Sequence, residues 1–180
     1  MNQELEVLKS VTQRLKTAGI PYMITGSIAA GFYAVPRMTR DIDIVIELDI
    51  QGADRLSGLL QNDFYIDRET VMEAVEQRGL FNILHNEYVI KVDLIVRKDH
   101  PYRELEFRRR REIKIEDARM WIVSPEDLVL SKLLWAKDSL SEQQMEDIKN
   151  LLAMVKDLDL GYIKEWVVKL ALEGIYARVQ

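Results

Sequence analysis

Apolar residues along this chain follow two spacings, and each spacing predicts a different element. Leu5, Leu8, Val11 and Leu15 recur every three to four positions, so residues 3–18 are expected to form an amphipathic helix. Gly19 ends it and Pro21 prevents continuation. Tyr22-Met23-Ile24-Thr25 then reads as a short apolar strand. Residues 27–34 read as a short helix with Ser27 near its N-cap, closed by Pro36. A basic loop, Arg37-Met38-Thr39-Arg40, leads into a strand over residues 41–48, where apolar residues alternate with acids.

The next 80 or so residues mix both spacings. Residues 51–61 predict a helix with Leu56, Leu59 and Leu60 on one face, and residues 70–78 predict another. Residues 80–84 and 88–96 read as paired strands around the turn His85-Asn86-Glu87. Residues 102–111 are charged and ambiguous, and residues 112–115 and 120–123 are short strand candidates. Ser124-Pro125-Glu126-Asp127 is a helix start, with proline at the first position and acids in the first turn. Helices are expected over residues 125–137, 141–157 and 160–173. There is no internal repeat. The expected architecture is a mixed α/β core over residues 1–123 with a helical region over residues 124–180 packed on it.

Composition changes this picture little. Apolar residues make up 48% of the 180 residues, enough for a sizeable core. A net charge of −5 argues against a protein whose main task is coating nucleic acid. The absence of cysteine removes disulfides and thiolate metal sites. The polar, amphipathic N-terminus does not resemble a secretory signal, and no apolar run is long enough to span a membrane. A cytoplasmic location is expected.

The informative feature is the acidic strand. Side chains alternate across a strand, so Ile42, Ile44 and Ile46 share one face and Asp41, Asp43 and Val45 the other. The two carboxylates then stand about 7 Å apart. Two such groups repel unless a cation lies between them, and magnesium prefers oxygen ligands and substrate phosphates. Asp93 sits within the apolar run Val92-Asp93-Leu94. On a neighbouring strand it would complete a three-acid cluster of the kind two-metal phosphoryl or nucleotidyl transfer needs. Taken alone, it also reads as an edge charge or the partner of Lys91. Gly26 and Ser27 open a helix whose amides can hold an anion.

With these residues in place, the sequence resembles the polymerase-β-like nucleotidyltransferases. "TGSIAAGFYAVPRMTRDIDIVI" matches the family's Gly-Ser and spaced Asp-x-Asp pattern, and "KVDLIV" supplies the third acid. The match is specific over about residues 20–97 and looser to residue 157. Within the superfamily it looks like the small bacterial proteins related to AbiEii-type abortive-infection, minimal and aminoglycoside-modifying nucleotidyltransferases. The resemblance implies a nucleotidyltransferase-type mixed sheet with flanking helices and a C-terminal helical bundle. It implies that Gly26 and Ser27 contact the nucleoside triphosphate. Asp41 and Asp43 would bind two Mg2+ ions, with Mn2+ as a substitute, and Asp93 would ligate the catalytic metal and help activate an acceptor hydroxyl. The donor would be an NTP. The acceptor could be a small molecule, an RNA or a protein. The alternative is a non-catalytic or regulatory nucleotide-binding member of a toxin–antitoxin pair, with a partner protein.

Other residues carry open readings. Lys132 lies amid Leu128, Val129, Trp135 and Ala136, where a lysine either snorkels outward or, by the resemblance, reaches the phosphates. Arg37 and Arg40 either touch phosphates or neutralise Asp41 and Asp43. Asp147 reads as a solvated helix acid, although it resembles an acidic position of the same relatives. Arg108-Arg109-Arg110-Arg111 is surrounded by acids and reads as a salt-bridge network, the alternative being an RNA-guiding patch. Trp121, Trp135 and Trp166 are expected in the core, and His85 and His100 in turns without a catalytic role.

Overall fold

A computed structural model describes residues 3–37, 39 and 41–180. The expectation for Arg40 falls outside these residues. Helix α1 (Gln3–Thr17) buries Val7, Leu8, Val11 and Leu15, as its spacing predicts, and stops before Gly19, whose φ of 69° suits a residue without a side chain. There follow β1 (Tyr22–Ile24), α2 (Gly26–Tyr33), β2 (Asp41–Ile46), α3 (Ile50–Leu60), β3 (Phe64–Tyr65), α4 (Arg68–Gln77), β4 (Leu80–His85) and β5 (Lys91–Val96). The remainder comprises α5 (Pro101–Arg108), β6 (Arg111–Ile115), β7 (Ala118–Ile122), α6 (Pro125–Ser139), α7 (Glu142–Met154), α8 (Leu160–Lys169) and the short α9 (Glu173–Tyr176).

Among the described residues the strands form one seven-stranded mixed sheet in the order β3-β4-β5-β2-β1-β7-β6. β2 runs parallel to β5 and β1 parallel to β7, and the remaining neighbours are antiparallel. Ile42, Ile44 and Ile46 of β2 and Val92, Leu94 and Val96 of β5 are fully buried on one face. Ile148 and Leu151 of α7 and Leu128 of α6 belong to the same apolar cluster as the strands.

Several boundaries differ from those expected, each for a local reason. Thr25 is the extended residue before α2, so Ser27 lies inside the first turn and does not cap it. Val89 takes a φ of 54°, which lengthens the turn and delays β5 to Lys91. The ambiguous segment is the helix α5. Pro101 starts it and the His100 side chain accepts from the Tyr102 amide at 3.2 Å. Its inward face carries Glu106 beside Tyr102 and Phe107, which hid the apolar period. α7 stops at Met154 and α8 at Lys169, with Ala171 at a φ of 52° before α9.

The tryptophans correct an expectation. Trp135 is 62% exposed because it falls off the inward stripe of α6, and Trp121 is on the outer face of β7 beside buried Met120 and Ile122. The Arg110 guanidinium lies over its ring at 5.1 Å. Trp166 is partly buried and packs against Tyr102 at 4.9 Å between ring centroids.

Candidate active site

The parallel pairing of β2 with β5 places Asp43 directly across from Asp93, and Asp41 across from Lys91. The opposite face of both strands is apolar and buried, so the acids cannot turn away without exposing isoleucines. Asp93 is 14% exposed and Asp41 54%. Lys91 Nζ stands 3.1 Å from Asp93 Oδ2 and 3.5 Å from Asp41 Oδ1. Asp93 is thus both a member of the cluster and the partner of Lys91.

Among the described residues, Lys91 is the one cation in salt-bridge contact with these acids. Burial, and next the carboxylate of Asp93, raise the Asp43 pKa above its ordinary value. Asp93 Oδ1 is buried without a hydrogen-bond partner. Among the described residues, no three acidic, histidine or cysteine side chains converge to grip an ion. The acids share a face, and Lys91 reaches between Asp41 and Asp93. Even so, an all-oxygen donor set that keeps a buried, unpartnered carboxylate oxygen suits a hard divalent cation.

Gly26 faces this cluster from the start of α2. Its φ is 65°, and a Cβ added there would lie 2.0 Å from Asp43 Oδ2. Glycine is therefore required twice, by backbone conformation and by the approach of the carboxylate. Thr25 provides no side-chain cap, and the first amides of a helix have no intrahelical partner, so the turn presents donors beside the acids.

A second group of charges lies behind Ser27. Lys132 is only 4% exposed and donates to Asp147 Oδ2 at 2.8 Å and Gln144 Oε1 at 2.9 Å. It does not snorkel to solvent. Arg37 donates to Ser27 Oγ and lies 3.4 Å from Asp147 Oδ1. Among the described residues its partners are Ser27 and Asp147, not Asp41 or Asp43. Burial pushes the Lys132 ammonium below the ordinary lysine value, against the pull of Asp147 and, more weakly, Asp43. Burial alone would raise Asp147, but Lys132 and Arg37 outweigh it and hold the carboxyl below its ordinary value.

Asp147 is the main correction among the candidate residues. It is buried and organises both cations, where a solvated acid was expected. The available signal was its place at the edge of the Met145, Ile148, Leu151 stripe, on the helix that pairs with the one carrying Lys132. Lys91 was visible only as a partner for Asp93. The link between Lys91 and Asp41 depends on strand register, which has no mark in the sequence.

The arginine run forms the expected ion-pair network at two of its members. Arg109 bonds Asp127 at 2.9 Å and stacks on Tyr162 at 3.9 Å, and Arg111 reaches Glu126 at 3.2 Å. His85 accepts from the Tyr88 amide at 3.2 Å and His100 caps α5, so each has a local structural contact.

No family model matches the sequence, and no curated protein matches it. The fold is similar to solved structures. An antigenic nucleotidyltransferase-like protein from Paracoccidioides brasiliensis is 22% identical, aligned over 85% of this chain and 76% of that one, with a TM-score of 0.59. The lincosamide antibiotic adenylyltransferase LnuA, in its lincomycin-bound form, is 17% identical over 86% and 98%, with a TM-score of 0.56. ANT(2'')-Ia in complex with adenylyl-2''-tobramycin is 13% identical over 97% and 99%, with a TM-score of 0.62. At these identities the likeness is one of fold.

Proposed function

We propose that this protein is a metal-dependent nucleotidyltransferase that moves a nucleoside monophosphate from an NTP to an acceptor hydroxyl. The observation that carries the reading is the register of β2 and β5, which aligns Asp43 with Asp93 on a face opened by Gly26. The fold shared with nucleotidyltransferase-like and adenylyltransferase structures supports it.

In this reading Asp41, Asp43 and Asp93 would hold magnesium. When bound, it would supply charge neutralisation and Lewis-acid activation at the phosphates. The Gly26 and Ser27 amides bind the phosphate chain at the start of α2. Lys132 and Arg37, held by Asp147, are poised to add positive charge on that side. The acceptor oxygen attacks the α-phosphorus in line. A new P–O bond forms, the bond to the β-phosphate bridging oxygen breaks, and pyrophosphate leaves with that electron pair. In this reading Asp93 also helps to take up the hydroxyl proton.

Isothermal titration with ATP, GTP, CTP and UTP, with and without magnesium, tests the reading. Magnesium-dependent binding of at least one nucleotide is expected in the wild type. It should vanish in the Asp41→Asn, Asp43→Asn double variant. Binding that survives those substitutions unchanged would sink the assignment.

A further inference from the structure

Lys91 has no part in the transfer outlined above, yet its ammonium lies among the groups that carry it. Strand pairing puts Lys91 across from Asp41 and, on its own strand, two residues before Asp93 on the same face. It therefore reaches both carboxylates, at 3.5 and 3.1 Å. Among the described residues, the other cations nearby are engaged elsewhere: Lys132 is bonded to Asp147, and Arg37 to Asp147 and Ser27. The Lys91 side chain is 40% exposed, so it can swing into solvent without disturbing the core.

We propose that Lys91 is a built-in counter-cation that occupies the divalent-metal position of the carboxylate face in the metal-free protein and competes with metal for it. The inference rests on the reading of Asp41, Asp43 and Asp93 as metal ligands. A free ion must displace the ammonium from two carboxylates and leaves it with no new partner. A metal ion that arrives with a triphosphate brings anionic oxygens to which the displaced ammonium can turn. Lys91 thereby biases the site toward metal–nucleotide over free metal, and in the metal-free state it keeps the acids from repelling one another.

The test is calorimetric titration of the metal-free full chain with Mn2+. Four proteins are compared: wild type, Lys91→Met, Lys91→Arg and the remote exposed control Lys164→Met. Removing a positive charge in contact with the ligands is expected to tighten Mn2+ binding about tenfold in Lys91→Met. Lys91→Arg and Lys164→Met should stay near wild type. Thermal unfolding gives a second readout. Lys91→Met should melt lower in EDTA and gain more from Mn2+ than wild type does. If wild type binds Mn2+ and Lys91→Met binds no more tightly, or is matched by Lys164→Met, the inference fails and the metal-site reading stands. If none of the four binds Mn2+, the inference fails, and the magnesium-dependent nucleotide titration alone decides the metal-site reading.

Discussion

Two regions of this protein cluster acids, and they differ in how those acids are satisfied. Around the start of α6, Asp127 is fully buried and accepts from Ser124 Oγ at 2.6 Å, Tyr162 Oη at 2.7 Å, Arg109 Nε at 2.9 Å and Tyr102 Oη at 3.3 Å. Neighbouring Glu106 accepts from Arg103 at 2.8 Å and from Ser131. On the sheet face, Asp41 and Asp93 share one lysine, Asp43 is raised by burial and by Asp93, and one oxygen of Asp93 has no partner. The first cluster is closed by its own chain and ties α5, α6 and α8 together. The second, among the described residues, is short of positive charge, and such a deficit is a reason to look for a ligand there.

The comparison breaks most visibly at Asp127. Asp127→Ala removes a buried acceptor shared by four donors, so a loss of about 3–5 kcal/mol is expected in urea unfolding. A loss within the range of ordinary surface substitutions would mean the network does not hold the helices. Asp147→Asn is the next largest effect, because it leaves the Lys132 charge buried with a weakened partner; a cost of about 2–3 kcal/mol is expected by the same measurement. Restoring stability with Lys132→Met in that background would identify the stranded charge as the cause.

Gly26→Ala should cost about 1–2 kcal/mol through the left-handed backbone alone. It should also abolish nucleotide binding, since its Cβ needs space held by Asp43. An alanine variant that binds NTP normally would remove Gly26 from the site.

The smallest effect is also the sharpest contrast. Asp43→Asn, unlike Asp127→Ala, should leave the metal-free melting temperature unchanged or raise it. Because the folded-state pKa of Asp43 is raised, the native protein binds more protons than the unfolded chain just above the ordinary value of 3.8. Its contribution to stability is present at low pH and is lost as pH rises through the raised value. Asp147, held low, works the other way: its contribution is present above 3.8 and is lost as pH falls through the folded value. Melting curves in EDTA across the acidic range should therefore lose opposite slopes in Asp43→Asn and Asp147→Asn. Slopes of the same sign would contradict the assignment of either environment.

Much of this was readable along the chain. Alternation alone assigned Ile42, Ile44 and Ile46 to the core and Asp41 and Asp43 to the opposite face, because a strand has only two faces. The helix period of α1, the Ser-Pro-Glu-Asp start of α6 and the Gly26-Ser27 turn depend on residues within a few positions of one another. Local geometry is enough for such features. Helix α5 was not readable, since its buried face includes Glu106, whose partners Arg103 and Ser131 lie on two different helices.

The sequence by itself determined which acids the candidate site could use, which residues anchor them and where the Gly26-Ser27 turn begins. Tertiary structure decided who stands beside whom. The parallel register of β2 and β5 brought Asp93 to Asp43 and Lys91 to Asp41, partners 50 positions apart in the chain. The packing of α6 against α7 turned Asp147 from a helix acid into the holder of Lys132 and Arg37. Charges act through space, with a strength set by distance and burial. Sequence separation does not encode that distance, so the electrostatics of the site become readable only once the strands have paired and the helices have docked.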